Sequence, residues 1–180
     1  MTAHKLNVLL AAIALTGVFA TTLSNADARD RTRTRTTGNV EGARSAAVNA
    51  SGSGAKGSYA RGRNWQADGQ GNASGSRSAS AAGVNGGSAS TQGGFYRNAD
   101  GSVGRQGSAT ATGVNGGTAS TNGGFTKNPD GTYSGGRDTS ATGANGNSYD
   151  GSTTYGNGTA THTGTCTNAA GEVISCKGGN

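Results

Sequence analysis

A chain of 180 residues usually folds as one domain, but glycine supplies 35 of these residues and aromatic residues only 5%. Few large side chains remain for burial, while ordering each backbone residue costs about 1–2 kcal/mol, so a conventional hydrophobic core is disfavoured. The formal charge of +6 is concentrated in the segment from Arg29 to Arg77, where nine basic residues stand against three acidic ones.

The first 28 residues have the three parts of a secretory signal peptide. A short basic start with Lys5 precedes the apolar run from Val8 to Ala20, and Ala26-Asp27-Ala28 is a small-residue cleavage site. An uncleaved anchor is the alternative, but a span needs about 18 apolar residues or more. The leader resembles the bacterial type. It predicts a secreted, periplasmic or cell-surface protein with no stable transmembrane segment after cleavage.

Residues 29–77 are predicted to form a basic, low-complexity, disordered arm. The run Arg31-Thr-Arg-Thr-Arg-Thr-Thr37 alternates charged and β-branched residues as a strand does, yet no apolar face accompanies it. An arm of this kind can bind a polyanion such as nucleic acid or an anionic envelope glycan, because guanidinium groups supply charge and aromatic rings supply stacking area. The candidate residues are Arg31, Arg33, Arg35, Arg61, Arg63 and Trp65.

Trp65 also has a structural interpretation. It lies shortly before Asp68-Gly69, as Phe95 and Phe125 lie shortly before Asp-Gly turns of their own. In that interpretation Trp65 is a degenerate counterpart of these two phenylalanines rather than a ligand contact.

Residues 78–180 are predicted to form a Gly/Ser/Thr-rich β-repeat region. Residues 78–107 and 108–137 are two copies of one unit, identical at seventeen of thirty positions. A truncated third copy starts at 138 and is expected to drop the Gly-Gly-Phe segment. Most of the shared residues are turn formers and small side chains, which specify backbone shape rather than chemistry.

Two kinds of turn alternate in this region. The Asn-Gly pairs at 85–86, 115–116 and 145–146 favour type I′ hairpins, whereas Asn98–Gly101 and Asn128–Gly131 suit a type I turn followed by a glycine bulge. Together the turns predict strands near 87–97, 102–114, 117–127, 132–144, 152–167 and 172–177. The predicted fold is all-β, a repeat-built antiparallel meander ending in a C-terminal hairpin, with a β-solenoid as the alternative.

Threonine occupies every odd position from 159 to 167, namely Thr159, Thr161, Thr163, Thr165 and Thr167. A period of two places these side chains on one face of a strand. Such an array suits ice or a carbohydrate as ligand, but threonine also simply favours strands.

Cys166 and Cys176 are predicted to form a disulfide, since two cysteines in an exported chain usually pair. A turn at 168–171 places Cys166 opposite Ile174, which leaves Cys176 on the same face but diagonal to Cys166. Diagonal neighbours lie about 7–8 Å apart, so the bond needs a longer turn or a bulge. A metal site is the alternative, but two thiols and one imidazole make a poor zinc set.

The mature chain has one histidine, His162, and its carboxylates mostly lie in Asp-Gly turns. No catalytic, metal-binding or cofactor-binding residues are therefore predicted, and no cofactor is expected. The glycine-, asparagine- and threonine-rich repeats with a paired-cysteine tail resemble short-repeat secreted proteins of Gram-negative bacteria, which implies an extracellular or surface location. The expected function is a non-enzymatic structural role in matrix, adhesion or envelope. Open sheet edges make self-association a further expectation.

Overall fold

The computed structural model describes residues 30–156 and 158–176, so the predicted signal peptide lies outside the described residues. It contains eleven β-strands, which in chain order are β1 Asp30–Val40, β2 Ala43–Gly54, β3 Gly57–Ala67, β4 Ala73–Gly83, β5 Ser88–Arg97, β6 Val103–Thr112, β7 Thr118–Lys127, β8 Tyr133–Thr142, β9 Ser148–Gly156, β10 Thr159–Thr167 and β11 Val173–Ile174. No helix in the described ranges is long and apolar enough to cross a membrane.

All eleven strands belong to one open antiparallel sheet, and their order in the sheet is their order in the chain. The all-β meander prediction is confirmed. Each described strand contacts only its immediate neighbours, so the protein is a single layer. Among the described residues the buried apolar side chains are Ala50 and Ala109, at 8% and 9% exposure. Backbone hydrogen bonds between strands, not a hydrophobic core, therefore hold the sheet together.

Residues 30–67 form β1, β2 and β3 of this sheet, which corrects the prediction of a disordered arm. Strand β1 pairs with β2 along its whole length, from Asp30 opposite Ser53 to Val40 opposite Ala43. The sequence reasoning required an apolar face for a strand. The structure instead satisfies the backbone groups of these strands by pairing within the sheet, and leaves the β1 side chains exposed on both faces.

The Asn-Gly turns differ from the type I′ prediction. In the first of them the Gly86 N–H donates to the Gly83 carbonyl at 3.2 Å, and the Gly83 N–H donates to the Gly87 carbonyl at 2.7 Å. Gly86 has a φ of 87° while Asn85 is not among the residues with positive φ. This pattern is a type I turn followed by a glycine bulge, the same turn that occupies Asn98–Gly101 at the other end of the strands.

A type I′ turn does occur, but at Glu41-Gly42, where φ is 47° and 85°. A positive φ on glutamate is unusual, since the left-handed region favours glycine, asparagine and aspartate. The two-residue connection between β1 and β2 demands it there. Glycine pairs within the strands, such as Gly93-Gly94, do not interrupt the pairing there, because both residues have partners on the two neighbouring strands.

The predicted strand 152–167 is two strands, β9 and β10, joined at a turn that includes Gly158, whose φ is 89°. In the sequence Gly158 follows an asparagine, so a further Asn-Gly pair stands at 157–158, and it was not used to predict a turn. The third copy also keeps an aromatic residue in the position of Phe125. Tyr155 follows Phe125 by thirty residues, and both lie opposite Gly135.

The disulfide between Cys166 and Cys176 is present, as predicted, with Cα atoms 5.3 Å apart. Cys166 lies opposite Ile174, which is the expected register. Strand β11 ends at Ile174, so the following residues leave the ladder and bring Cys176 closer to Cys166 than a diagonal position allows.

Candidate polyanion-binding face

The register divides the strand side chains into two sets, because residues directly opposite each other share a face and successive residues in a strand alternate. One set contains the even-numbered residues of β1 and the odd-numbered residues of β10, including Thr34 and Thr163. We call this side the polar face. The other set contains Arg35 and His162, and we call that side the basic face.

Every described arginine and lysine that lies in a strand is on the basic face. These eleven residues are Arg31, Arg33, Arg35, Arg44, Arg61, Arg63, Arg77, Arg97, Arg105, Lys127 and Arg137. All eleven side chains are exposed to solvent. The face therefore presents a continuous field of positive charge across β1 to β8.

The charge is densest across β1 to β4. Arg35, Arg63 and Arg77 lie in one row of the sheet, with Val48 between the first two. Arg63 and Arg77 are direct neighbours, which costs stability because like charges repel. Neighbouring strands are about 4.8 Å apart and alternate residues of one strand about 6.8 Å apart, so these guanidinium groups are spaced closely enough to bind one charged chain together.

The described carboxylates lie elsewhere. Those within strands, Asp30, Asp138 and Asp150, are on the polar face. The others lie in turns, and three of these, Asp68, Asp100 and Asp130, accept hydrogen bonds from nearby backbone N–H groups. Asp130 accepts from the Thr132 N–H at 2.9 Å and from the Thr132 hydroxyl at 2.6 Å. No described strand carboxylate therefore neutralises the cations on their own face.

Turn hydrogen bonds also hold the carboxylates ionised. The Ser102 hydroxyl, then its backbone N–H, lowers the pKa of Asp100, and Thr132 lowers the pKa of Asp130 in the same way. The Asn72 side chain, followed by the Gln70 N–H, lowers the pKa of Asp68. Hydrogen bonds to the charged form favour that form, so these residues act as anionic turn caps.

An aromatic row crosses the basic face. Trp65, Phe95, Phe125 and Tyr155 lie in one row on β3, β5, β7 and β9, about 9.6 Å apart because one strand separates each pair. The positions between them are Gly75, Arg105 and Gly135. Trp65 thus holds the position equivalent to Phe95 and Phe125, as its structural interpretation required, and it also stays 40% exposed on the basic face.

Glycine in this row lets the rings lie against the sheet. A Cβ atom on Gly75 would come within 2.5 Å of the Phe95 ring, and one on Gly135 within 2.5 Å of the Tyr155 ring. Phe125 and Tyr155 stack across Gly135 at 6.2 Å between centroids, with an interplanar angle of 21°. Aromatic rings that lie flat on the sheet provide a planar surface for stacking, and the neighbouring guanidinium groups provide positive charge.

The polar face carries serine, threonine and amide side chains. Between β1 and β6 it forms a groove of about 540 Å³ whose lining includes Thr32 and Thr110. These strands would be about 24 Å apart in a flat sheet, so the sheet curls toward this face. The predicted threonine array lies on the same face at β10, where Thr161 opposes Thr154 and Thr163 opposes Ser152.

His162 lies on the basic face of β10. Its Nδ1 is 2.8 Å from the Thr153 hydroxyl and its Nε2 is 3.2 Å from the Tyr149 hydroxyl. The strand carboxylates nearest in sequence, Asp138 and Asp150, are on the opposite face. In the described ranges no group of three or more histidine, cysteine, aspartate or glutamate side chains is arranged to hold a metal ion.

No protein family, no curated protein and no solved structure matches this chain.

The six residues proposed for polyanion binding are brought together: all lie on the basic face, on β1 and β3. Sequence reasoning missed six further cations that extend the same face, namely Arg44, Arg77, Arg97, Arg105, Lys127 and Arg137. The last five share a signal in their numbering. Each has an odd number, as Arg61 and Arg63 do, and the paired strands β3 to β8 preserve parity from one to the next.

Proposed function

We propose that this chain is a non-enzymatic exported structural protein that binds an anionic polymer outside the cytoplasm through its basic face. The observation that carries this proposal is the one-sided distribution of the cations in the described strands, eleven on the basic face and none on the polar face. A solvated surface does not require such sorting, because charged side chains are equally soluble on both sides of an open sheet.

The shape of the face supports an extended ligand. The cations span eight consecutive strands, about 34 Å at the usual strand spacing. A polymer with repeated phosphate, sulfate or carboxylate groups can contact several strands at once. Each cation that it pairs with releases a counterion, so binding should weaken steeply as salt rises.

The direct neighbours Arg63 and Arg77 support the proposal energetically. Their repulsion is uncompensated by any strand carboxylate on that face, and a bound anion relieves it. The exposed rings of Trp65 and Phe95, in a row beside these arginines, add stacking area for the uncharged parts of the polymer.

An exchange of two adjacent residues tests whether the face, rather than the net charge, binds. In the variant Arg63→Asn with Asn64→Arg, composition and net charge are unchanged, but one cation moves to the polar face. We expect the variant to elute from a heparin column and from immobilised single-stranded DNA at lower salt than the unaltered protein. Equal elution would show that overall charge alone is responsible and would overturn the proposal.

A matched control removes a cation outside the face. Lys56 lies in the turn between β2 and β3, and Lys56→Thr changes the net charge as Arg63→Thr does. We expect Arg63→Thr to lower the salt dependence of binding, the slope of log affinity against log salt, and Lys56→Thr to leave it nearly unchanged. Column matrices carrying sulfate and phosphate distinguish the two anion chemistries.

Binding of ice or a carbohydrate by the polar face is a second candidate. It is favoured by the exposed row of threonines from Thr159 to Thr165, in which Thr161 and Thr163 lie opposite hydroxyl side chains of β9. Replacing Thr161 and Thr163 by lysine should abolish retention on insoluble polysaccharide or the inhibition of ice recrystallisation. Retention or inhibition that survives both substitutions would eliminate this candidate.

A further inference from the structure

The two ends of the sheet have open edges of complementary character. Strand β1 pairs only with β2, so its outer edge is unpaired over eleven residues of the described chain. At the other end β11 covers only Cys166 and Thr167 of β10. The seven residues from Thr159 to Thr165 are paired on one side alone. Open edges of this length are templates for pairing with another strand.

The backbone groups on these edges point the right way for pairing. The type I′ turn makes Val40 and Ala43 a mutually bonded pair, so the N–H and C=O groups of Arg33 and Arg35 point outward. At the end of β10 the Asn168 N–H donates to the Glu172 carbonyl, on the side of β11. The backbone N–H and C=O groups of His162 and Gly164 point to the same side, because these residues also have even numbers. Arg35 can therefore exchange two backbone hydrogen bonds with a residue such as His162.

The rows of the sheet select one register. The row that starts at Arg35 on β1 passes through Arg63, Gly107 and Arg137 and ends at His162 on β10. A second copy whose β1 continues this row places Arg35 opposite His162. On the polar face the same register places Thr34 opposite Thr163, with Thr32 opposite Thr165 and Thr36 opposite Thr161.

We propose that copies of this chain add head to tail, with β1 of one copy pairing antiparallel with β10 of the next in the register Thr34 opposite Thr163. Three threonine pairs then lie on the polar face, and such cross-strand pairs are favourable. On the basic face Arg33 meets Gly164 and Arg35 meets His162, so no arginine or lysine of one copy meets an arginine or lysine of the next. The interface joins two different surfaces, so the same contact repeats from copy to copy and builds filaments or rings.

Charge disfavours the competing contact between two β1 edges. In the fully overlapped antiparallel register, with Asp30 opposite Val40, Arg35 of each copy faces Arg35 of the other. Like charges directly opposite each other destabilise a strand pair. The partner that fits the β1 edge is therefore the edge of β10 from Thr159 to Thr165, which carries no arginine, lysine or carboxylate, and the disulfide-tethered β11 limits the overlap to the part of β10 before Cys166.

A disulfide trap tests the register. In the proposed interface Thr34 and Thr163 form a non-hydrogen-bonded pair, in which side chains approach most closely. Within one copy the two residues are nine strands apart, so a disulfide between these positions can form only between copies. The trap variant carries Thr34→Cys and Thr163→Cys and is expressed with its predicted signal peptide, residues 1–28. We expect it to form a ladder of disulfide-linked multimers on a non-reducing gel. The control Thr34→Cys with His162→Cys places the two thiols on opposite faces and should give no ladder.

Further outcomes decide the proposal. Equal cross-linking of the trap variant and the control variant would overturn the head-to-tail register. The same holds if the single variant Thr34→Cys forms disulfide-linked dimers and the trap variant forms nothing larger than a dimer. Sedimentation of the unaltered protein checks assembly without any substitution: mass should rise with concentration, and a monomer at every concentration would overturn assembly altogether. Thr37→Pro removes an outward N–H from β1, a change that edge strands tolerate, and should reduce the sedimenting mass.

Discussion

Arg63 on β3 lies directly opposite Arg77 on β4, and none of the described strand carboxylates lies on their face of the sheet. We expect Arg77→Thr to raise the free energy of unfolding by about 0.2–1 kcal/mol, because it removes a like-charge pair and introduces a strand-favouring residue. The same variant should bind anionic polymer more weakly. Urea denaturation and salt elution from a heparin column measure the two effects.

Arg97 provides the control, since it faces Ala73 on β4 and Val103 on β6. Arg97→Thr should weaken polymer binding without the gain in stability. An equal gain in both variants would mean that the strand preference of threonine, not relief of repulsion, is the cause.

The glycine between Phe125 and Tyr155 is predicted to be intolerant of a methyl group. A Cβ on Gly135 would lie 2.4 Å from the Gly124 carbonyl and 2.5 Å from the Tyr155 ring, so Gly135→Ala should destabilise the protein by about 1–3 kcal/mol. Its neighbour Gly136 is on the polar face, where the nearest atom to a Cβ is 3.3 Å away. Gly136→Ala requires a shift of only a few tenths of an ångström and should therefore destabilise the protein less than Gly135→Ala. Thermal denaturation of both variants makes the comparison.

The disulfide is predicted to hold only the last strand. Strand β11 contacts β10 alone, and the bond closes a loop with a sequence separation of 10, worth about 2–3 kcal/mol in the chain-entropy treatment. Cys176→Ser should speed hydrogen exchange at Val173 and Ile174 and leave the other strands protected. Loss of protection throughout the sheet would show instead that the strands unfold as one unit.

Acid should loosen the turns that hold Asp100 and Asp130. Their pKa values are lower in the folded chain than the ordinary 3.8, so they stabilise the fold above the unfolded pKa and lose that contribution as pH falls through the folded pKa. Stability should therefore decline below about pH 4. The variant Asp100→Asn with Asp130→Asn should show a shallower decline in denaturation series between pH 2 and 5, and an unchanged decline would assign the effect elsewhere.

Much of the strand pattern could be predicted because turn chemistry is local. Asn98–Gly101 and Asn128–Gly131 carry their own hydrogen-bonding side chains, so the turn can be read from four residues. The turn at Asn85-Gly86 was predicted with the wrong type. Its type depends on the flanking Gly83 and Gly87, because the Gly83 N–H donates to the Gly87 carbonyl and the Gly86 N–H donates to the Gly83 carbonyl. The turn near Gly158 was missed, and with it the division of one long strand into two.

The basic face could be predicted only in part. Arg31, Arg33 and Arg35 alternate visibly with threonine, but their position beside Arg61 and Arg63 depends on pairing with β2, which lacks an apolar pattern. Relationships across strands, such as Arg63 opposite Arg77, follow from register rather than from any one segment. The aromatic row is a similar case, since Tyr155 has no Gly-Gly before it to mark its equivalence to Phe125.

Because strands β3 to β9 preserve parity, the width of this protein can change without moving any side chain to the other face. Deleting or copying thirty residues at the boundary between 107 and 108 alters the sheet by two strands, about 9.6 Å, and keeps every remaining side chain on its original side. A change in the number of repeats would thus give a wider or narrower sheet with the same two faces, so that copy number alone can tune the width of the sheet.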